Sequence, residues 1–277
     1  MLQVGYYRRR NGKGNFGDDL SPLLIARITG TEVKHSGMMS ADIVGVGSIL
    51  DYWNSRGLRV FRNIKSTLSS KRPLAIWGTG LREPRRIFLP KSDILAVRGP
   101  LTAQHLGIRQ TVHFADPGIL APIVQRPRHK INRIGIVPHY VDKENPVVYQ
   151  VSKDPRFLVI DVEDKCERVL SQISQCQMIL SSSLHGLICA DAYGIPNGRL
   201  LLSNRVKGGD FKFRDYVLGV NRERMVSYPI ADKSDVYLAA DDLERNLSFF
   251  DPSEIEARGS KMVTLIREWY SENFNMP

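Results

Sequence analysis

A chain of 277 residues, 42% hydrophobic and 25% charged, buries roughly three quarters of its unfolded surface on folding. That excludes a disordered segment or a disulfide-stapled miniprotein. The formal net charge of +10 is most commonly a solvated basic surface, and its functional readings are an anionic small substrate or an anionic membrane surface. Nucleic acid ranks last, because the basic clusters "YYRRRNGK", "GLREPRRIFLPK" and "QRPRHKINR" are dispersed and lack interleaved aromatics.

In chain order, apolar runs alternate with amphipathic segments, the pattern of parallel strands joined by crossover helices. Strands are predicted at 2–7, 31–36, 41–48, 74–80, 93–99 and 111–117, and helices at 19–30 and 100–107. Pro100 suits a first helical turn and Gly107 the position past its end. The pattern breaks near 122–131, which reads as a linker. A second α/β unit follows, with strands at 131–140, 156–162, 177–182 and 199–204 and helices around 163–176 and 184–194. In the tail, Asp251 reads as N-cap, Pro252 as the first helical residue and Glu254 as a first-turn acid. Ile255, Met262, Ile266 and Trp269 then share one helical face, a core stripe.

The domains expected are 1–125 and 126–277, two Rossmann-type α/β units whose parallel sheets face across a cleft, with the last helix packing back on the first unit. Ligands in such folds sit beyond the carboxyl ends of the strands. No apolar run is long enough to span a membrane, and "MLQVGYYRRR" has no export pattern. A cytoplasmic location is expected, with peripheral contact between the basic surface and the inner membrane. Cys166, Cys176 and Cys189 match no zinc or redox spacing and read as buried small hydrophobes. No metal site is expected.

Gly12, Gly14 and Gly17 in "NGKGNFGDDL" have the G-x-G-x-x-G spacing of a dinucleotide turn, but the context fails. Four polar residues, Arg8 to Asn11, separate the strand from Gly12. Asp18 and Asp19 stand where a pyrophosphate needs positive potential, and Glu32 opens the second strand instead of closing it. NAD is not expected. The two aspartates have two readings: helix capping, or one carboxylate facing the cleft as a base or sugar anchor.

"QMILSSSLHGLICADAYGIPN" is the most informative segment. Three serines and a helix start follow a strand, so the hydroxyls and free amides of Ser182, Ser183 and Leu184 make a cradle for phosphate or carboxylate. His185 lies in the first helical turn, where the dipole lowers its pKa and a bound dianion raises it. The alternative is a packed histidine capping its own loop. In "ILAVRGPLTAQHLG", Arg98 closes a strand, which would aim its guanidinium at the cleft mouth as a bidentate carboxylate clamp. A surface ion pair is the competing reading.

The pieces "NFGDDL", "GVGSIL", "AIWGTG", "AVRGPLT", "ADPGIL", "IGIVPHYVD", "SSSLHGLICADAYGIPN" and "KFRDY", taken in order, resemble the polysaccharide pyruvyl transferase family. The resemblance implies a GT-B-like fold without a dinucleotide, phosphoenolpyruvate as co-substrate, and a pair of sugar hydroxyls as acceptor on a lipid-linked exopolysaccharide or capsule unit. By position, Arg98 and the Leu184–His185 pair match the residues assigned to phosphoenolpyruvate. Many members carry arginine before Leu-His, where this chain has Ser183. Lys207, Lys212 and Arg214 are the candidates for the missing charge.

The expected roles follow from the chemistry of a ketal. His185 serves as acid or phosphate stabiliser and Asp18 as base or acceptor anchor, with Asn15, Asp116 and His139 on the acceptor side; no cofactor is needed. His35, His105 and His129 are assigned no role. Two other readings stay open: a GT-B glycosyltransferase with Glu163 or Asp164 on a nucleotide ribose, and a non-catalytic saccharide-binding or scaffold subunit.

Overall fold

The computed structural model describes residues 1–8, 14–54, 72–89, 91–108, 111–222, 225–246 and 251–274. Six strands form the first sheet: β1 (Leu2–Gly5), β2 (Val33–Ser36), β3 (Ile43–Val44), β4 (Leu74–Trp77), β5 (Ser92–Val97) and β6 (His113–Phe114), in spatial order β2-β1-β3-β4-β5-β6. Five form the second: β7 (Ile134–Val137), β8 (Phe157–Val159), β9 (Met178–Ser181), β10 (Asn197–Leu201) and β11 (Ser227–Pro229), in order β11-β10-β9-β7-β8. Every pairing is parallel. This is the doubly covered α/β architecture that near-continuous apolar strands such as "LAIW" require.

Among the described residues the helices are α1 (Phe16–Thr29), α2 (Pro100–Leu106), α3 (Ala121–Val124), α4 (Pro146–Val151), α5 (Cys166–Gln175), α6 (Leu184–Ala192), α7 (Phe211–Gly219), α8 (Lys233–Arg245) and α9 (Pro252–Phe274). Pro100 stands at the start of α2, and Gly107 takes φ 69° at its end, a left-handed conformation that costs glycine little. The region read as linker is helical through Val124 and irregular from there to β7. Helices α4, α7 and α8 and strand β11 carry no predicted counterpart. Their short or weakly alternating apolar patterns gain stability from tertiary packing.

The two units share a core. Leu2, Phe16 and Trp77 of the first belong to the same buried apolar cluster as Val137, Ile179 and Leu187 of the second. Helix α9 returns to the first unit, burying Ile255, Met262, Ile266 and Trp269. The Trp77 indole donates to the Met262 carbonyl at 3.0 Å, and an Arg258 guanidinium nitrogen donates to the Phe114 carbonyl at 3.1 Å. Helix α7 crosses in the same direction to pack on α2, with Asp215 at the interface. No helix among the described residues is long and apolar enough to cross a membrane.

Candidate active site

A cavity of about 420 Å³ opens between the units. Its walls are built by residues just past the carboxyl ends of strands: Tyr7 after β1, Ser48 after β3, His139 after β7 and Ser183 after β9. The first unit adds Asn15, Asp18, Asp51, Tyr52 and Arg82. The second adds Leu184, His185, Lys207 and Lys212.

Helix α1 begins at Phe16, earlier than the pattern suggested, so both aspartates lie inside its first turn. They divide the two roles. Asp19 accepts a hydrogen bond from the Asn15 backbone amide, a capping contact. Asp18 turns to the cavity, where the Asn15 side-chain amide donates to its Oδ2 at 2.6 Å. Burial raises the Asp18 pKa to about 7; the Asn15 bond lowers it, and the negative charges of Asp19 and Asp116 raise it further.

Gly17 follows Phe16, and a Cβ placed on it would overlap the His185 ring. The glycine of "NFGDD" makes room for an imidazole. Gly12 lies outside the described residues. Phe16 meets His185 edge to face, with ring centroids 6.4 Å apart. His185 Nε2 is out of solvent contact and makes no hydrogen bond. Burial first, and then Lys212, Arg98 and His139, lower the ring's pKa to about 3. The histidine is thus neutral before an anion arrives, and it caps no loop.

The serine-rich turn splits its tasks. Ser181 Oγ shares its one proton between the Val137 and Ser183 carbonyls and accepts from the Ser183 amide. Ser182 Oγ donates to Asp142 at 2.8 Å and accepts from the His139 amide at 2.9 Å, so its hydroxyl braces the second sheet and is not offered to a ligand. Ser183 is the N-cap of α6 but makes no side-chain cap bond. Among the described residues, the amides of Leu184, His185 and Gly186 have no acceptor. This open helix end faces the cavity through Ser183, Leu184 and His185.

Besides Ser182, three expected site residues lie outside the cavity lining. Arg98 is fully buried and does not reach the cleft mouth. Its Nε pairs with Asp215 at 3.1 Å, its Nη2 donates to the Leu81 carbonyl and its Nη1 donates to Ser48 Oγ at 2.8 Å. It contacts the cavity lining through Ser48, and its field reaches His185 and Lys212. Arg214 is exposed on α7 and lines no part of the cavity, because the helix turns the neighbouring Lys212 and Asp215 inward. Asp116 is also outside the lining. Its Oδ1 accepts from the Gly118 amide at 2.9 Å, capping the 3₁₀ turn Pro117–Leu120.

Burial raises the Asp116 pKa to about 7, while its Oδ2 has no hydrogen-bond partner. A carboxyl whose folded pKa lies above its unfolded value contributes stability below the unfolded pKa, and that contribution is lost as pH rises through the folded one. Asp116→Asn, which keeps the cap acceptor, is therefore expected to gain stability relative to wild type between pH 4 and pH 7. The gain is on the order of a few kcal/mol. Urea midpoints at both pH values check it.

Of the three basic residues named as candidates for the charge absent at Ser183, Lys212 is placed deepest. It is buried, lines the cavity and makes no ion pair among the described residues. Burial and the fields of Arg98, Arg199 and Arg82 lower its pKa to about 8, with Asp18 acting in the other direction. Lys207 lies at the exposed edge. Arg82, Asp51 and Tyr52 have no strand-end or helix-start signature in the sequence, and only the return of loops to the cleft brings them in. Ser48 closes the strand predicted at 41–48 but is not singled out there as a site residue.

His139 and Asn15 line the cavity as well, and His139 Nδ1 accepts from the Val141 amide at 3.3 Å. Glu163 pairs with Lys143 at 3.0 Å and Asp164 with Arg168 at 3.4 Å, and neither lines the cavity. A ribose partner for a nucleotide sugar is not available from them in this pocket. Among the described residues no group of three His, Cys, Asp or Glu is placed to hold a metal ion.

The chain is 32% identical over 183 residues to uncharacterized protein L143 of Acanthamoeba polyphaga mimivirus, a match covering 61% of this chain and 63% of that one. It is 29% identical over 233 residues to the succinoglycan biosynthesis protein ExoV of Rhizobium meliloti, covering 81% of this chain and 68% of that protein. Among solved structures, a Listeria monocytogenes protein described as a UDP-N-acetylglucosamine 2-epimerase aligns with a TM-score of 0.49 at 11% identity, over 100% of this chain and 98% of that one. The sequence profile of the polysaccharide pyruvyl transferases matches residues 3–198, a span that holds every cavity residue except Lys207 and Lys212. On that match the chain belongs to the polysaccharide pyruvyl transferase family.

Proposed function

We propose that the protein transfers pyruvate from phosphoenolpyruvate to two hydroxyls of one sugar, forming a ketal in exopolysaccharide or capsule synthesis. The observation that carries the reading is the anion subsite: a buried Lys212, without an ion pair among the described residues, lines one cavity together with the open amino end of α6. Phosphoenolpyruvate bears a phosphate and a carboxylate, and each charge-assisted bond to such groups is worth about 1.5–3 kcal/mol. Lys212, Lys207 and Arg82, with the amides of α6, meet both anions. The Ser48 hydroxyl has its oxygen bound to Arg98, which leaves its proton to donate into the cavity.

The bound trianion raises the pKa of the neutral His185, which then carries a proton. His185 gives this proton to the methylene carbon, making the methyl group, while the first sugar hydroxyl adds to C2 and passes its proton to Asp18. The C2–O bond to phosphate breaks, and phosphate leaves with the proton held by Asp18. The second hydroxyl oxygen then bonds to C2, and its proton restores His185. The sum is phosphoenolpyruvate plus diol giving ketal plus hydrogen phosphate, with no electron transfer. The acceptor belongs on a lipid-linked unit, with the reaction at the cytoplasmic face of the membrane, as the family resemblance and the basic surface suggest.

Titration calorimetry of the whole chain with phosphoenolpyruvate tests the donor. Lys212→Met is expected to weaken binding about 10- to 100-fold. Binding of a nucleotide sugar in place of phosphoenolpyruvate would overturn the reading in favour of glycosyl transfer.

A further inference from the structure

Two cations from opposite units line the outer part of the cavity: Arg82 of the first and Lys207 of the second. Lys207 belongs to the loop 202–210 between β10 and α7. Both ends of that loop are pinned within the second unit. The Asn145 side-chain amide donates to the Leu202 carbonyl at 3.0 Å and Ser203 Oγ donates to the buried Asp142, while Asp210 pairs with Arg199 at 2.6 Å. Between these pins the loop crosses to the first unit at Gly208.

The crossing requires glycine on two counts. Gly208 has φ 92°, where a side chain is strained, and a Cβ on it would lie 2.6 Å from the Arg82 carbonyl oxygen and 2.7 Å from Arg82 Cγ. Loop backbone thus packs directly on the backbone and side-chain stem of Arg82, one residue away from Lys207. The next residue, Gly209, also has a positive φ of 47°, but a Cβ there would meet nothing within 4 Å. Arg82 is fixed from the other side as well. Its amide donates to Asp51 Oδ2 at 2.7 Å, and Asp51 stands on the 3₁₀ turn Leu50–Asn54, which the buried Trp53 anchors in the first unit's outer core.

The charges so placed are not neutralised within the protein. Among the described residues the Arg82 guanidinium makes no hydrogen bond and approaches one carboxylate, Glu83 Oε1, at 3.8 Å, while Glu83 Oε2 is taken by Arg85. The Arg82 side chain is 39% exposed, so a ligand in the cavity reaches it. Lys207 is exposed and makes no ion pair among the described residues. Neighbouring like charges favour an anion between them. Lys212 and the amino end of α6 form the inner, buried cluster. A phosphate suits helix amides and a lysine point charge, whereas a planar carboxylate suits the guanidinium fork.

We infer that Arg82 and Lys207 form a carboxylate subsite spanning the two units, with Gly208 as its positioning residue, while Lys212 and the amino end of α6 hold the phosphate. The inference deepens the pyruvyl-transfer reading and rests on it for the identity of the ligand. Donor specificity then lies in the span between the two clusters: a ligand with a phosphate alone fills the inner one and leaves the outer pair unmet.

Phosphoenolpyruvate titrated into the whole chain by calorimetry, and inorganic phosphate by phosphorus NMR, test this at about 0.15 M salt, where exposed charges more than about 8 Å apart are largely screened. Arg82→Met and Lys207→Met are each expected to weaken phosphoenolpyruvate about tenfold and phosphate less than about threefold. Lys212→Met should weaken both ligands about tenfold or more. Gly208→Ala should copy the selective loss. Gly209→Ala strains the backbone in the same way but displaces nothing, and should stay within about twofold of wild type for both ligands. Melting temperatures near wild type for Arg82→Met and Lys207→Met separate lost binding from unfolding. Phosphoenolpyruvate binding indifferent to both of these variants, or equal losses for the two ligands, overturns the inference and leaves the donor reading intact. Equal effects of Gly208→Ala and Gly209→Ala remove Gly208 from the positioning role. A wild type that binds phosphate but not phosphoenolpyruvate would sink the pyruvyl reading and the inference with it.

Discussion

The Asp215→Ala protein is expected to unfold about 3–5 kcal/mol more easily than wild type, the cost of leaving a buried charge without its partner. Asp215 holds three groups at once: Arg98 Nε at 3.1 Å, the Thr102 amide at 2.9 Å and the Thr102 hydroxyl at 2.6 Å. Removal strands the Arg98 cation in a site without solvent and uncaps the first turn of α2. The pairing joins α7, from the second half of the sequence, to the end of β5. Close backbone approach permits it, since a Cβ on Gly99 would overlap the Asp215 carbonyl and one on Gly219 would overlap the Arg98 carbonyl. Arg98→Met with Asp215→Leu is expected to recover much of the loss, because replacing both members of a buried pair by apolar groups is often near neutral. Urea unfolding of the two singles and the double, read as a mutant cycle, checks it. A single Asp215→Ala within about 0.5 kcal/mol of wild type, the ordinary range of a surface change, would contradict the interface described here.

Asp18→Asn is expected to lower turnover by about 10²- to 10⁴-fold, the usual worth of a positioned acid or base. The pH dependence is the sharper test. As base, Asp18 must be ionised, so wild-type kcat/KM should rise with pH up to the Asp18 pKa of about 7. Lys212 loses its charge above about 8, so donor capture should decline there. A narrow bell results. Asp18→Asn should keep the alkaline limb and lose the acidic one, and Lys212→Met should do the reverse. A wild-type profile flat from pH 6 to 7.5 would remove Asp18 from the base role.

Much of this protein was legible in the sequence. Short apolar runs ending at small or polar residues specify parallel strands, because both faces of each strand are buried, and two such series imply two sheets. The segment from Met178 to Ala192 reads as strand, serine turn and helix start because Ser183 and Gly186 fit no strand interior, and the structure places the open helix end there. Asp18 and Asp19 were both visible, though not which would cap and which would face the cleft. That choice turns on the rotation of α1, fixed by packing Phe16 and Leu20 into the core.

Tertiary structure alone decided the fate of Arg98. A strand-end arginine looks the same in sequence whether it meets a ligand or a carboxylate 117 residues away, and only the return of α7 to α2 supplied Asp215. The same return buried Lys212 and left Arg214 in water, a helical rotation that sequence leaves open. Asp51 and Tyr52 were silent for a related reason: a short 3₁₀ turn has no periodicity to read, and its place on the cavity wall comes from Trp53 anchoring it in the first unit. Local spacing determines which segments become strands and helices, since backbone hydrogen bonding and apolar burial are periodic along the chain. Which side chains share a site is set by long-range packing, whose partners are far apart in sequence and carry no local signal.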